Sequence, residues 1–262
     1  MSWTDAHCHL QDIFLADDAT TATALATLER AHERGVGRVV VVGTDAVTSA
    51  QALALTTLES PVEVYATVGL HPHDASQDLA PVLALARAGH PRLVGIGECG
   101  FDYFYEHSPR GAQRAAFAAQ IALAHELDLA LVVHVRDAFD DLYDVMASEG
   151  VPGRAVIHCF TGTPDEAEHC LHLGFDISIS GIVTFKNAES LREAARLVPL
   201  ERLHVETDSP FLAPVPFRGK TNEPGLVSVV GQFVAQLRGE DPAIVQAATS
   251  ANSARLFGLA AL

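Results

Sequence analysis

The amino-acid sequence predicts an α/β protein folded as one (β/α)8 TIM barrel, a single domain over residues 1–262. Three observations point there. Short apolar runs alternate with Ala/Leu/Glu/Arg-rich stretches along the chain, the βα repeat that closes parallel strands into a barrel. Runs such as VVVVG at 39–43 and LALVV at 129–133 are apolar on both faces, as strands covered by helices must be. Several runs also end in His, Glu or Asp, and a barrel gathers its strand ends on one rim. A doubly wound open sheet is the rival fold, but it gives no reason for such residues at so many strand ends.

In chain order, strands are expected near 3–7 (WTDAH), 38–43 (RVVVVG), 63–68 (EVYATV), 93–98 (LVGIGE), 129–134 (LALVVH), 154–158 (RAVIH), 174–180 (GFDISIS) and 202–206 (RLHVE). Helical stretches separate them at 19–34, 46–58, 77–89, 109–127, 137–149, 164–173 and 187–198, and a closing pair lies at 224–238 and 241–257. Thr163-Pro164-Asp165-Glu166 has the form of an N-cap with proline in the first turn, and Asp241-Pro242 repeats it. No low-complexity tail, long linker or further repeat interrupts the pattern.

At 262 residues, 48% of them apolar, the chain has room for one large barrel. No run reaches the ~18 uncharged apolar residues of a membrane helix, and MSWTDAHCHL lacks the basic and apolar regions of a secretory signal. Cys8, Cys99, Cys159 and Cys170 form no C-x-x-C pair, so reduced thiols in a cytoplasmic protein are expected. The formal charge of −16 argues against non-specific adhesion to nucleic acid or anionic membrane. It does not exclude a nucleic-acid substrate, because dications in a cleft reverse the local potential.

Six residues at or just past strand ends are candidate metal ligands: His7, His9, Glu98, His134, His158 and Asp208. In Asp5-Ala6-His7-Cys8-His9 strand alternation puts both imidazoles on one face with Cys8 turned away, a geometry that chelates one divalent ion. Asp5 shares that face and is expected to orient a ligand histidine. Glu98, a carboxylate at a buried strand end, needs a partner, which a bridging position between two cations would supply. The chain's two lysines, Lys186 and Lys220, lie far from the first six strand ends, so Glu98 is the available bridging anion. His134 and His158, from adjacent strands, suit a second ion. Asp208 can ligate and accept the proton of an attacking water, with Glu206 behind it. Cys99 and Cys159 read as small buried apolar residues. His71 in GLHPH, Arg136, Arg218 and Lys220 are expected substrate contacts, whose cations suit an anion such as a phosphate ester.

Taken in order, DAHCHL, GLHPH, GECGFDY, HVRDA, HCFTG, ETDSPFLAP and RGKTNEP, spread over residues 5 to 224, resemble the TatD family of metal-dependent deoxyribonucleases, a branch of the amidohydrolase-like barrels. The resemblance implies a metal-dependent phosphodiesterase on DNA, with 3′→5′ exonuclease action. Its metal positions fall on the same six residues. Thr221 stands where the family loop usually carries a second basic residue, which weakens the expected grip on a backbone; Cys99 replaces an aliphatic residue. Two divalent ions, Zn²⁺, Mn²⁺ or Mg²⁺, are expected, with DNA, single-stranded or at strand ends, as substrate and no membrane or obligate protein partner. The alternatives are an amide, lactone or aminoacyl-ester hydrolase on the same barrel, and a non-catalytic metal- or nucleic-acid-binding protein.

Overall fold

The computed structural model describes residues 2–11 and 21–262. Eight strands, β1 (Trp3–Cys8), β2 (Val36–Val42), β3 (Glu63–Val68), β4 (Leu93–Asp102), β5 (Ala130–Arg136), β6 (Ala155–Ile157), β7 (Asp176–Ile179) and β8 (Leu203–Val205), lie side by side in chain order. All neighbouring pairs are parallel. Among the described residues seven helices connect or follow them: α1 (Thr21–Glu33), α2 (Ala46–Leu55), α3 (Ala80–Arg87), α4 (Arg110–Leu127), α5 (Phe139–Glu149), α6 (Pro164–Leu173) and α7 (Glu189–Leu197). Helices α8 (Val227–Arg238) and α9 (Pro242–Phe257) follow β8. Residues 19 and 20 of the first expected helix lie outside the described residues. The sheet meets itself where Cys8 bridges Ser209, with the Asp208 N–H donating to the His7 carbonyl at 2.9 Å and the His9 N–H to the Ser209 carbonyl at 2.7 Å. The predicted (β/α)8 barrel is what the chain forms.

Both faces of the strands are buried, as the doubly apolar runs require. Val133, Val135 and Ile157 pack in the main core with helix residues such as Leu142, Val145 and Phe117. Their alternates, Ala130, Val132 and Val156, join Val40, Val42 and Val94 in a smaller cluster inside the barrel. The interior rows of β5 and β6 then continue, at period two, into His134 and His158. The cap at Thr163 forms a reciprocal box: its hydroxyl accepts from Glu166 N at 3.3 Å, and the Glu166 carboxylate accepts from Thr163 N at 2.6 Å.

Two strands run longer than the sequence suggests. β4 continues past Glu98 to Asp102 and β5 past His134 to Arg136, paired Gly100↔His134 and Asp102↔Arg136 after an irregularity between Ile96 and Cys99. The irregularity breaks the alternation on which sequence reading depends. Gly100, at φ +137°, passes so close to β5 that a Cβ there would stand 2.1 Å from the His134 carbonyl oxygen.

A second close approach sets the height of Glu98. A Cβ on Gly69 would lie 2.3 Å from the Gly97 carbonyl carbon and 2.7 Å from Glu98 N, and backbone atoms cannot swing aside as a side chain would. Gly69→Ala is therefore expected to destabilise by about 1–3 kcal/mol, lowering Tm by roughly 3–10 °C. Thermal denaturation checks it; an unchanged Tm would show that β4 gives way freely.

The two rims differ in kind. At the N-terminal end Asp176 accepts from His204 and Arg255 at 2.9 and 2.8 Å and also pairs with Arg202, while buried Arg38 donates to Glu63 at 2.6 Å. Each acceptor there meets donors, the mark of a stabilising rim. Among the described residues no helix is long and apolar enough to cross a membrane.

Candidate metal centre and cleft

At the C-terminal rim acceptors face acceptors. Glu98 stands in the middle, buried, with its two oxygens turned to different histidines. Oε2 lies 3.4 Å from His7 Nε2 and 3.6 Å from His9 Nε2. Asp208 Oδ1 closes that group, 3.3 Å from His9 Nε2 and 3.8 Å from His7 Nε2. Oε1 lies 2.8 Å from both His134 Nδ1 and His158 Nε2. All six residues expected at the rim are thus brought together, as two donor groups sharing one carboxylate. Asp208 and Cys159, which follow strand ends, hold left-handed backbone at φ +55° and +42°, a conformation that non-glycine residues keep only where the surroundings impose it.

For His9, His158 and His134, hydrogen bonds on the far side of the ring decide which nitrogen carries the lone pair. His9 Nδ1 faces the Val42 carbonyl at 2.9 Å; a carbonyl only accepts, so Nδ1 holds the proton and Nε2 offers a lone pair to the centre. His158 Nδ1 faces Glu206 Oε1 at 3.1 Å, and the same carboxylate accepts from Cys159 N at 2.7 Å and the Ser178 hydroxyl at 2.5 Å. His134 Nε2 faces Asp102 Oδ2 at 3.1 Å, leaving Nδ1 for the centre. These are the carboxylate or carbonyl backings that metal-ligating histidines have.

His71 is the reverse case. Its Nδ1 accepts from His73 N at 3.1 Å, so in the neutral ring Nε2 bears the proton, 3.4 Å from Glu98 Oε1. Burial pushes its pKa down to about 4, which keeps it neutral near pH 7. His71 presents an N–H rather than a lone pair, suited to a substrate oxygen, although it sits within reach of the second donor group.

Electrostatics divide the remaining rings. Burial, then the neighbouring His158 stacked 3.8 Å away, lowers the pKa of His7. Burial opposes charge on His158 too, but Glu98 and Glu206 outweigh it and hold its pKa well above the ordinary value. His134 is raised against burial by its bonds to Asp102 and Glu98. Glu98 is held well below the usual carboxylate range, since His158 and His71 and the bonds from His134 and His158 overcome the cost of burying it. Protons between His134, His158 and Glu98 occupy positions where a dication would serve better, and metals compete with protons for such donors. The donor set therefore fits divalent metal: imidazole lone pairs and carboxylate oxygens within 4.8 Å of one another in overlapping groups.

Above the centre opens a cleft of about 840 Å³. Arg136 lines it, carried onto the His134 face by the extra length of β5. Arg218 and Lys220 do not line it. The Arg218 guanidinium lies 3.8 Å from the Phe185 ring centroid, beside an adjoining pocket of about 220 Å³ joined to the cleft through Thr161 and Ile182. Asn222 pins their loop away, donating to the Thr207 and Phe211 carbonyls at 2.8 and 2.6 Å. Two further expectations change. Asp5 touches no imidazole: it accepts from Thr207 N and its hydroxyl at 2.8 and 2.6 Å and from His7 N at 3.4 Å, because β1 is irregular between Asp5 and Cys8. Cys159 is only half-buried and borders the cleft, its sulfur 3.1 Å from the Ser180 hydroxyl.

Asp102 is the residue that sequence reading missed. Besides backing His134 it meets His73 Nε2 at 3.0 Å, and its other oxygen accepts from Phe104 N and Tyr105 N at 3.0 and 2.8 Å. Its signal was GECGFDY, an acid four residues past Glu98, hidden by the strand irregularity. Glu206, expected behind Asp208, instead backs His158. Glu206→Gln is expected to weaken metal affinity about 10–100-fold, because a neutral amide holds the His158 N–H less firmly. Titration with Zn²⁺ or Mn²⁺ monitored by calorimetry measures this, and unchanged affinity would remove Glu206 from the centre.

Comparison with known proteins agrees with this geometry. The profile of the family described as TatD related DNase matches residues 4–258. The chain is 39% identical to the uncharacterized metal-dependent hydrolase YabD of Bacillus subtilis over 258 residues, 97% of this chain and 98% of that one. It is 40% identical to the 3′-5′ ssDNA/RNA exonuclease TatD of Erwinia tasmaniensis over 241 residues, 88% and 92% of the two chains. The crystal structure of YJJV, a TatD homolog from Escherichia coli, superposes with a TM-score of 0.90 at 29% identity over 98% of both chains. The protein belongs to the TatD family of metal-dependent hydrolases.

Proposed function

We propose that this hydrolase is a nuclease of unpaired strand ends, cleaving DNA 3′→5′ at two divalent ions. His7, His9, Asp208 and Glu98 would hold one ion, and Glu98, His134 and His158 the other. One observation carries the reading: two lone-pair groups converge on opposite oxygens of one buried carboxylate, under a cleft offering an imidazole N–H and a guanidinium. The name of the Erwinia relative supports the nucleic-acid substrate. Mixed nitrogen and oxygen donors suit Zn²⁺ or Mn²⁺, or Mg²⁺ if waters complete its octahedron. Four free thiols suit the cytoplasm.

Bound dications supply Lewis acidity and acidify the attacking water. Asp208, at the mouth side of the centre, takes that water's proton. His71 donates its Nε2–H, and Arg136 its guanidinium, to the phosphoryl oxygens as negative charge builds there. Arg218, over Phe185, and Lys220 on the same loop reach a phosphate farther along the strand.

The test is hydrolysis of phosphodiester, carboxylic ester and amide substrates before and after chelation. Metal-dependent turnover of single-stranded DNA is expected, and abolition by EDTA; equal activity after chelation would sink the reading, and turnover of esters or amides alone would replace it. Because the surface is acidic and few cations face the cleft, binding should engage one to three phosphates. The slope of log K against log salt should then be no steeper than roughly −2, at about −0.7 per phosphate on a single strand. A steep slope would reveal a long basic groove.

A further inference from the structure

We infer that the mouth of the cleft is a base-stacking subsite: Phe104 and Tyr105, braced by Arg136, on one wall and Phe211 on the other grip the nucleobase of the terminal, unpaired nucleotide. The inference rests on the nuclease reading above and goes beyond it in assigning the groups that recognise a base rather than a phosphate.

The rings stand in water without a packing reason. Phe104, Tyr105 and Phe211 are 56%, 52% and 53% exposed, while Phe101, Phe117, Phe160 and Phe175 are wholly buried. All three exposed rings border the same cleft. They are also held in place. Asp102 clamps the turn carrying Phe104 and Tyr105 through two backbone N–H groups, so that wall is ordered before any ligand arrives. Arg136 lies flat against it, its guanidinium carbon 3.9 Å from the Phe104 centroid and 5.0 Å from that of Tyr105. Among the described residues that guanidinium has no carboxylate partner, whereas Arg38, Arg87, Arg192 and Arg255 are ion-paired.

Each wall is tied to one donor group. Phe211 meets the His9 ring edge-on at 6.3 Å. Tyr105 meets His73 at 5.5 Å, His73 bonds Asp102, and Asp102 backs His134. A flat ring inserted between the walls would thus set its attached phosphate over Glu98, between the groups that Glu98 joins. Aromatic and guanidinium faces accept any base, since every base has a π-face, and they require it unpaired. A paired base cannot also enter the wall.

Two oligonucleotides identical but for an abasic terminal nucleotide on one give the test, with metal-loaded wild type, Phe104→Ala, Phe211→Ala and Phe104→Trp. Wild type is expected to show a KM at least about five-fold higher for the abasic end, the lower range of one base–aromatic stack. Either alanine variant should raise KM for the normal end by a similar factor, change kcat little, and leave the abasic substrate unaffected; tryptophan should restore the difference. A terminal 2-aminopurine should lose fluorescence on binding Asp208→Asn protein and keep it when Phe104→Ala is added. If wild type cleaves both ends equally, or the alanine variants slow both alike, the stacking subsite is overturned while the nuclease stands. If loaded wild type cleaves neither strand, both readings fall together.

Discussion

Glu98→Gln is expected to lose most bound metal and at least about a hundred-fold in activity while the barrel stays folded. The reason is geometric. Its two oxygens face different donor groups: Oε2 looks toward His7 and His9, Oε1 toward His134 and His158. An amide keeps the shape but loses the charge, and its NH2 end turns a donor toward one of the groups. Removing a single preorganised electrostatic contact already costs about 10²–10³ in rate, and here one change would weaken both proposed ion sites. Metal analysis with circular dichroism checks it. Two ions per chain in a folded Glu98→Gln protein would remove the bridge from the centre.

Asp208→Asn should separate chemistry from binding. General-base catalysis contributes about 10²–10⁴-fold, so kcat should fall within that range while the ion proposed to sit on Glu98, His134 and His158 should remain. Its left-handed backbone and the N–H bond to the His7 carbonyl at the β1–β8 seam fix its carboxylate beside His9 and His7. His9, then His158 and His7, hold its pKa down against burial, so it is ionised before it takes a proton. Single-turnover cleavage with metal content measured on the same sample decides the matter. Loss of both ions with no further defect in rate would make Asp208 a ligand only.

Much of this was legible in the chain. Apolar runs closed by His, Glu or Asp announce both the barrel and its polar rim, because a polar group at a buried strand end has few other uses. His134 and His158 could be read as rim residues because β5 and β6 keep strict alternation up to them, so the interior rows run straight into the ligands. His7, His9, Glu98 and Asp208 were legible as polar residues closing apolar runs, despite the irregularities of β1 and β4, and the short motifs around them pointed to the family.

What sequence could not decide depends on contacts across the barrel. Asp102 escaped because β4 is irregular between Ile96 and Cys99 and the count by twos fails beyond it. Asp5 was misplaced by the irregularity of β1, which turns its carboxylate onto the β8 backbone at Thr207 instead of an imidazole. Arg218 and Lys220 were expected substrate contacts from their basic, glycine-hinged loop, but where that loop folds depends on Asn222, which ties it to the Phe211 carbonyl while the Arg218 guanidinium lies over Phe185. Residue types and strand periodicity determined the barrel and the six ligand candidates, since both follow from local pattern. Which nitrogen of His9, His134 and His158 faces the centre was decided only by the tertiary structure, because each of these rings is backed from another strand or its end, by Val42, Asp102 and Glu206.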